Sequence, residues 1–290
     1  MSGATGAVER VGVVGCGLMG SGIAEVAARA GLDVAVVEAG DDAVRAGRAR
    51  VEGSLAQAVR RGKLTEGERD AALERIRITG EPEVLDDRQL VVEAVPEVEE
   101  LKLATFRTID AVVEDPAAVL ASNTSSIPIM KLAMATRRPE HVIGIHFFNP
   151  VPVLPLVELV PSLLTSPGVV DEASGFASGT LGKHVIRSQD RAGFVVNALL
   201  IPYLLSSIRM LESGFATAED IDSGMVEGCA HPMGPLALSD LIGLDTVMAV
   251  AQSMYEEFKE PLYAPPPMLL RMVDAGLLGR KSGRGFHRYG

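Results

Sequence analysis

The chain has 290 residues, of which 47% are hydrophobic and none is tryptophan, and its formal net charge is -11. This length suits two domains of roughly 100 to 200 residues each, with cores of aliphatic side chains. The negative charge opposes binding to nucleic acid and to anionic membranes, so we expect neither as a partner.

The amino-terminal sequence MSGATGAVER lacks the basic and apolar segments of a secretion signal, and we expect it to form a short disordered lead-in. The chain contains only two cysteines, Cys16 and Cys229, which give no disulfide framework. A reducing cytoplasm is the setting that these features favour, and no metal site is predicted.

The first motif follows a strand–turn–helix–strand pattern from Val11 to Glu38. Within it, GCGLMG matches G-x-G-x-x-G, and the second strand ends on an acidic residue about 20 residues later. The sequence therefore predicts a dinucleotide-binding site formed by Gly15, Gly17, Leu18, Met19, Gly20 and Glu38.

Each part of this motif has a physical role. Gly15 permits a tight turn, Gly17 lets the backbone approach the pyrophosphate, and Gly20 lets the helix pack on the sheet. Glu38 would accept hydrogen bonds from the adenosine ribose and repel the additional phosphate of NADP. We therefore expect the cofactor to be NAD.

The middle of the chain alternates between helical and strand patterns. Residues 41–73 have helical periodicity with a break at RGKLT, which predicts an inserted pair of antiparallel helices. Strands alternating with helices predict a doubly wound, Rossmann-type parallel sheet with both faces covered. The further strand candidates are residues 75–79, 90–94, 119–122 and 142–146.

The stretch HFFNPVPVLPLVELVP, which begins at His146, is almost entirely apolar or proline. Residues 142–164 have the length of a membrane span, but four prolines oppose a continuous helix. We interpret the stretch as buried strands broken by turns. Because burial of His146 and Glu158 is unfavourable unless they are paired, we expect them to bind each other or a ligand.

Beyond RSQDRAGF the pattern changes to helices without a convincing strand, starting with a long apolar helix from Val195 to Met210. This predicts a domain of residues 1–189 followed by an all-α domain of residues 190–290. The segment LLIPYLLSSI (Leu199 to Ile208) is more apolar than a region of that size can easily bury, so we expect it to form a twofold homodimer interface.

Several motifs, in this order, resemble those of the (S)-3-hydroxyacyl-CoA dehydrogenases, particularly the short bacterial 3-hydroxybutyryl-CoA dehydrogenases. The motifs are GCGLMGSGIA, VVEAVPE, ASNTSSIPI, GIHFFNPVPV with LVE, GFVVN, and HPMGPLALSDLIGLD, which together span almost the whole chain. The resemblance implies NAD-dependent oxidation of 3-hydroxyacyl-CoA to 3-ketoacyl-CoA, and the reverse reduction.

The resemblance also implies roles for four residues. His146 is the expected catalytic base and Glu158 its partner, which fits a reaction that removes a proton from a secondary alcohol near neutral pH. Ser125 is expected to hydrogen-bond the reacting oxygen, and Asn197 to hold the substrate near its thioester. Serine and asparagine are also common at turns and helix starts, so a structural role for these two residues is the alternative.

Further residues align with positions that bind the cofactor or CoA in the family. Ser125, Glu97, Lys102, Asn149 and Lys281 are implied to lie near NAD.

Ser54 and Arg61, on the inserted helices, are implied to bind CoA. Arginine at position 61 replaces a frequent lysine and still suits a phosphate. Pro155 stands where related sequences commonly have lysine, so no electrostatic role is expected there.

Two alternatives remain open at this point. A related hydroxyacid or sugar-acid dehydrogenase acting without CoA would share the His146–Glu158 pair. A noncatalytic protein of the same fold would not need the set Ser125, His146, Glu158 and Asn197, which is intact here.

Overall fold

The computed structural model describes residues 8–290 and divides into two compact units. The first unit ends at Arg191, and the second begins at Ala192. The first seven residues of the expected lead-in lie outside the described residues, and Arg10 already belongs to the first strand.

The first unit is built on one sheet of eight strands in the order β3-β2-β1-β4-β5-β6-β7-β8. Neighbouring strands are parallel except β6 and β7, which are antiparallel. The strands are β1 (Arg10–Val14), β2 (Asp33–Val37), β3 (Ile76–Thr79), β4 (Leu90–Glu93), β5 (Val119–Ser122), β6 (Val142–Phe147), β7 (Leu156–Pro161) and β8 (His184–Arg187).

Both faces of this sheet are covered. Val11 and Val13 of β1 point into a core shared with α1, whereas Gly12 between them faces Leu85 on the opposite side. Alternation of this kind follows from the two-residue repeat of a strand. The helices of this unit are α1 (Leu18–Arg29), α2 (Asp41–Arg60), α3 (Glu66–Glu74), α4 (Glu99–Val112), α5 (Ile129–Ala133) and α6 (Pro167–Ser174), with 3-10 turns at Pro82–Leu85 and Pro139–His141 and a π-helical turn at Gly175–Thr180.

The predicted Rossmann-type sheet with an inserted helical pair is confirmed, with two differences. β7 reverses direction because the short loop after β6 can return the chain only antiparallel to it. β8, which the sequence did not predict, adds a short edge strand parallel to β7.

The inserted pair consists of α2 and α3. α2 turns Gly47, Val51 and Leu55 inward, and Gly47 lies so close to Cys16 that a Cβ there would be 2.7 Å from the Cys16 Cβ. α3 starts at a capping box, in which Glu68 N–H donates to the Thr65 hydroxyl and the Glu68 carboxylate accepts from Thr65 N–H. The insertion is therefore anchored against the glycine-rich turn.

The second unit is helical, as predicted. Ile201, Leu204, Leu205 and Ile208 are buried in its core, so the unit itself covers part of the stretch that we expect at a dimer interface. Its helices are α7 (Val196–Glu212), α8 (Ala218–Cys229), α9 (Pro235–Ile242), α10 (Leu244–Phe258) and α11 (Pro267–Asp274), with a 3-10 turn at Arg280–Ser282.

Two aspartates hold the end of the chain in the second unit. The buried Asp240 accepts hydrogen bonds from the N–H groups of Phe286 and His287 and from the hydroxyl of Tyr289, each at 2.9 Å. Asp222 accepts from His287 Nε2 at 2.8 Å and also caps the start of α9. Residues 286–289 are therefore part of this unit's packing.

Within residues 8–290, no single helix has the length and apolar composition to cross a membrane; the consecutive helices α9 and α10, bent by 96°, pass only as a pair and only by length and composition.

Candidate active site

The two polar residues of the apolar stretch form a buried pair. His146 of β6 and Glu158 of β7 are direct partners in the antiparallel register, and His146 Nδ1 lies 2.7 Å from Glu158 Oε2. The histidine is 4% exposed and the glutamate 0%. The structure thus brings these two predicted residues together by backbone pairing.

The contact with Glu158 determines which tautomer the neutral imidazole of His146 adopts. A carboxylate can only accept a hydrogen bond, so Nδ1 donates to Glu158 and the lone pair of Nε2 remains available as a proton acceptor. The ring of Phe148 packs edge-on against the imidazole, with 4.7 Å between ring centroids. His146 is therefore held in one orientation.

Ser125 lies on the other side of the imidazole. Its Oγ is 2.9 Å from His146 Nε2, so the predicted serine, histidine and glutamate form one continuous chain of contacts. The backbone N–H of Ser125 donates to Glu97 Oε1 at 3.0 Å. Glu97 therefore helps to place the serine.

Glu97 accepts several hydrogen bonds from the loop after β5. Besides Ser125, its Oε1 accepts from the hydroxyl of Thr124 and from the N–H and hydroxyl of Ser126. Burial would raise the pKa of Glu97, but the Lys102 ammonium and these hydrogen bonds outweigh it and hold the pKa below its ordinary value. An ionised Glu97 therefore orders the loop that carries Ser125.

Lys102 is buried rather than solvated. Its Nζ lies 2.6 Å from Glu93 Oε1 and 3.3 Å from Glu97 Oε2, and only 1% of its side chain is exposed. Glu93, which the sequence analysis missed, is 0% exposed and also accepts from the Ser122 hydroxyl at 2.6 Å. The signal for it was available, because Glu93 ends an apolar strand as Glu38 does.

The glycine-rich turn has the geometry that a dinucleotide requires. Gly15 has a φ of +92°, and a Cβ at Gly20 would lie 1.8 Å from the Gly15 carbonyl oxygen, so both positions need glycine. A Cβ at Gly17 would meet no atom within 4 Å, which leaves open space beside the turn.

The start of α1 is suited to an anion. Gly17 is its N-cap and provides no side-chain hydrogen bond, and the first turn contains no acidic residue. The first N–H groups of a helix have no partner within it and attract phosphate. Leu18, with 66% exposure, and the half-buried Met19 occupy this turn.

Glu38 lies beside the same turn. It follows β2, and its carboxylate accepts from the N–H groups of Cys16 at 2.5 Å and Ala39 at 3.1 Å. This places a carboxylate next to the glycine-rich turn, where it can accept ribose hydroxyls. Burial, together with the charge of Glu38, raises the pKa of the Cys16 thiol to about 11, which leaves this cysteine protonated at neutral pH.

Ser54 lies on α2, and Arg61 is the C-cap residue that follows the last helical residue, Arg60. Ser54 is half-buried and Arg61 is exposed. They are about two helical turns apart along the chain. The CoA-binding role of these residues remains a prediction.

Three other predicted residues are placed as follows. Asn149 is exposed in the loop after β6. Asn197 is half-buried in the first turn of α7, within the second unit. Lys281, also in the second unit, donates from Nζ to Asp245 Oδ2 at 2.6 Å. Their roles in binding remain predictions.

Known proteins resemble this chain along both units. The family model for the 3-hydroxyacyl-CoA dehydrogenase NAD binding domain matches residues 10–191, and the model for the C-terminal domain matches residues 193–289.

Individual relatives show the same similarity. A 3-hydroxybutyryl-CoA dehydrogenase of Mycobacterium tuberculosis is 62% identical over 283 residues, covering 98% of this chain and 99% of that protein. One from Bradyrhizobium diazoefficiens is 43% identical, covering 97% and 96%. The crystal structure of M. tuberculosis FadB2 matches with a TM-score of 0.97 at 61% identity, covering 98% of this chain and 100% of that one.

The buried Glu93–Lys102 ion pair, which the partly exposed Glu97 extends, generates a stability prediction. Lys102→Met should lower the free energy of unfolding by roughly 3–5 kcal/mol, because it leaves a buried carboxylate without its counter-charge. Urea denaturation measures this change. The control is Lys131→Met, which removes an exposed ion pair with Glu99 and should cost less than about 1 kcal/mol. Equal losses in the two variants would contradict the assignment.

Proposed function

Because the chain belongs to the 3-hydroxyacyl-CoA dehydrogenase family and carries its NAD-binding domain, we propose that it oxidises (S)-3-hydroxybutyryl-CoA to acetoacetyl-CoA and catalyses the reverse reduction. The enzyme is an NAD-dependent oxidoreductase. The observation that carries the proposal is the contact chain Ser125–His146–Glu158. The names of the two 3-hydroxybutyryl-CoA dehydrogenase relatives support a short acyl chain.

In the proposed mechanism, His146 is the general base. Its Nε2 accepts the hydroxyl proton of the substrate, and the Glu158 carboxylate stabilises the imidazolium that forms. Bound NAD⁺ supplies the acceptor for the hydride that leaves the same carbon. In the reverse direction the imidazolium returns the proton to the oxygen.

Ser125 positions the reacting oxygen. Its Oγ contacts the same nitrogen that takes up the proton, so a substrate hydroxyl at Nε2 lies within reach of the serine hydroxyl. Hydrogen bonds that the Ser125 loop donates to the Glu97 carboxylate limit the movement of the serine. A preorganised donor at this place stabilises negative charge on the oxygen as the proton leaves.

Residues of the first unit are suited to bind NAD and CoA. The turn from Gly15 to Gly20 and the start of α1 would hold the pyrophosphate of NAD, and Glu38 would accept the adenosine ribose hydroxyls. Ser54 on α2 and Arg61 at its C-cap would hold the phosphorylated end of CoA.

The substrate class is tested by a comparison of two ketones. We expect the purified enzyme to oxidise NADH with acetoacetyl-CoA but not with free acetoacetate, because the acid lacks the groups that α2 would bind. Absorbance at the NADH band gives the rates, and NADPH in place of NADH is the cofactor control. Equal rates with acetoacetate would favour a hydroxyacid dehydrogenase that acts without CoA.

The general-base assignment predicts the effect of two substitutions. His146→Ala and Glu158→Gln should each lower kcat by at least roughly 10², with a smaller change in KM, because each removes the same proton-transfer function. The double variant should be far less than additive. Steady-state kinetics of the four proteins measures this.

The pH dependence offers a further readout of the same assignment. In the direction of oxidation only a neutral imidazole can accept the substrate proton, so removal of the Glu158 carboxylate should change the pH profile of kcat as well as its maximum. Near-normal turnover and an unchanged pH profile in Glu158→Gln would show that this glutamate has a purely structural role.

We also propose that the enzyme is a homodimer formed through its second unit. Ile201, Leu204, Leu205 and Ile208 of α7 are buried within that unit, but Leu199 of α7 and Phe215 after it are 75% and 79% exposed. Light scattering should give twice the mass of one chain, and Leu199→Asp should reduce it to that of one chain. Leu163→Asp, which alters a 93% exposed leucine of the first unit, is the control and should remain dimeric. A wild-type monomer at micromolar concentration would disprove the dimer.

A further inference from the structure

The loop between β6 and β7, residues 148–155, is short of hydrogen-bond donors. Pro150, Pro152 and Pro155 have no backbone N–H, so the loop has fewer backbone donors than carbonyl groups. The N–H groups of Val153 and Leu154 both donate to the Pro150 carbonyl, at 3.0 and 2.9 Å. These two hydrogen bonds leave the carbonyls of Val151 and Leu154 open to a donor from outside the loop.

Lys183 provides that donor. Its Nζ donates to the Val151 carbonyl at 2.6 Å and to the Leu154 carbonyl at 2.8 Å, and so links two points of the loop. Hydrogen bonds from a charged donor are stronger than those between neutral groups.

The backbone around Lys183 is itself fixed. Lys183 N–H donates to the Ala177 carbonyl at 2.9 Å, and the next residue, His184, donates to the Pro155 carbonyl at 2.7 Å where β8 begins to pair with β7. The edge strand β8 therefore brings the lysine to the loop.

The ammonium occupies an unfavourable place for a cation. Burial, and secondarily the charge of Arg29, lower the pKa of Lys183 below that of an ordinary lysine. A partly desolvated charge of this kind is tolerated when its donors are used. The two carbonyls supply the acceptors.

The loop that Lys183 holds is attached to the catalytic pair at both ends. It continues β6 directly after His146 and Phe147, and Phe148 packs on the imidazole ring. It then leads into β7, which carries Glu158. Between these ends, Val151 packs against α1 at Gly22, where a Cβ would lie 2.9 Å from the Val151 Cβ.

We infer that Lys183 is a positioning residue for catalysis, which fixes the loop and thereby the orientation of the His146 imidazole relative to Glu158 and the substrate. The inference rests on the proposed function. Lys183 acts through two backbone carbonyls and through the ring of Phe148, and it takes no part in proton transfer.

Three substitutions test this role. Lys183→Met, which keeps the side-chain length and removes the donors, should lower kcat about tenfold and change KM for acetoacetyl-CoA much less, because small misplacement of reacting groups is costly. Lys183→Arg retains donors and should recover most of the loss. Lys63→Met is the control, because Lys63 lines the same cavity as Lys183 and is exposed.

Chemical rescue distinguishes positioning from general loss of structure. Lys183 lines a cavity of about 690 Å³, which gives a small amine access to the place of its ammonium. Ethylammonium chloride should restore part of kcat in Lys183→Ala, but not in Lys183→Met, whose side chain still fills the space. Failure of both the arginine variant and the amine to restore any activity would overturn the inference.

A second readout does not require activity. Hydrogen–deuterium exchange of the Val151, Val153 and Leu154 amides should be faster in Lys183→Met than in wild type, with unchanged exchange in α4. If wild type fails to reduce acetoacetyl-CoA, the proposed function is wrong and the exchange experiment still decides whether Lys183 orders the loop. Unchanged loop exchange, or an unchanged kcat in Lys183→Met of an active enzyme, contradicts the inference.

Discussion

The arrangement of the site depends on a histidine and a carboxylate that are buried opposite each other on adjacent strands. Neither group would be stable there alone, because water is excluded from both. Their contact requires β7 to run against its neighbour: only then does a residue near the start of β7 meet one near the end of β6, at the sheet edge where the other strands also end. The reversal of one strand thus provides both the pairing and its location.

A second group of charges supports the first from the neighbouring strand ends. Glu93 ends β4, Lys102 lies on α4, and Glu97 precedes that helix, so the lysine neutralises the buried Glu93 carboxylate and the partly exposed Glu97 carboxylate. Glu97 then accepts hydrogen bonds from the loop after β5, which contains Ser125. The serine and the histidine are therefore positioned by independent elements that meet at 2.9 Å.

Much of this arrangement could be predicted from the sequence, because apolar runs and glycine spacing have direct structural consequences. The strands β1 to β6, the helical insertion and the need to pair His146 with Glu158 follow from such patterns. β8 was not predicted because HVIR is a four-residue edge strand between polar neighbours, and its two apolar residues, Val185 and Ile186, are only partly buried. The burial of Lys102 was not predicted either. A lysine on a helix is ordinarily solvated, and only the tertiary structure shows that Glu93 lies beside it. The burial of Ile201, Leu204, Leu205 and Ile208 was not predicted for the opposite reason: the apolar composition of the run Leu199–Ile208 is evident in the sequence, but the helices that cover part of it are not.

The two aspartates that hold residues 286–289 bear on how the protein can be handled. An affinity tag at the carboxyl end would begin next to Tyr289, whose hydroxyl contacts the buried Asp240. Removal of the last five residues by a protease would leave the carboxylates of Asp222 and Asp240 without several of their donors, in surroundings poor in water. Carboxy-terminal trimming during purification would therefore damage the helical unit from within rather than shorten a dispensable tail.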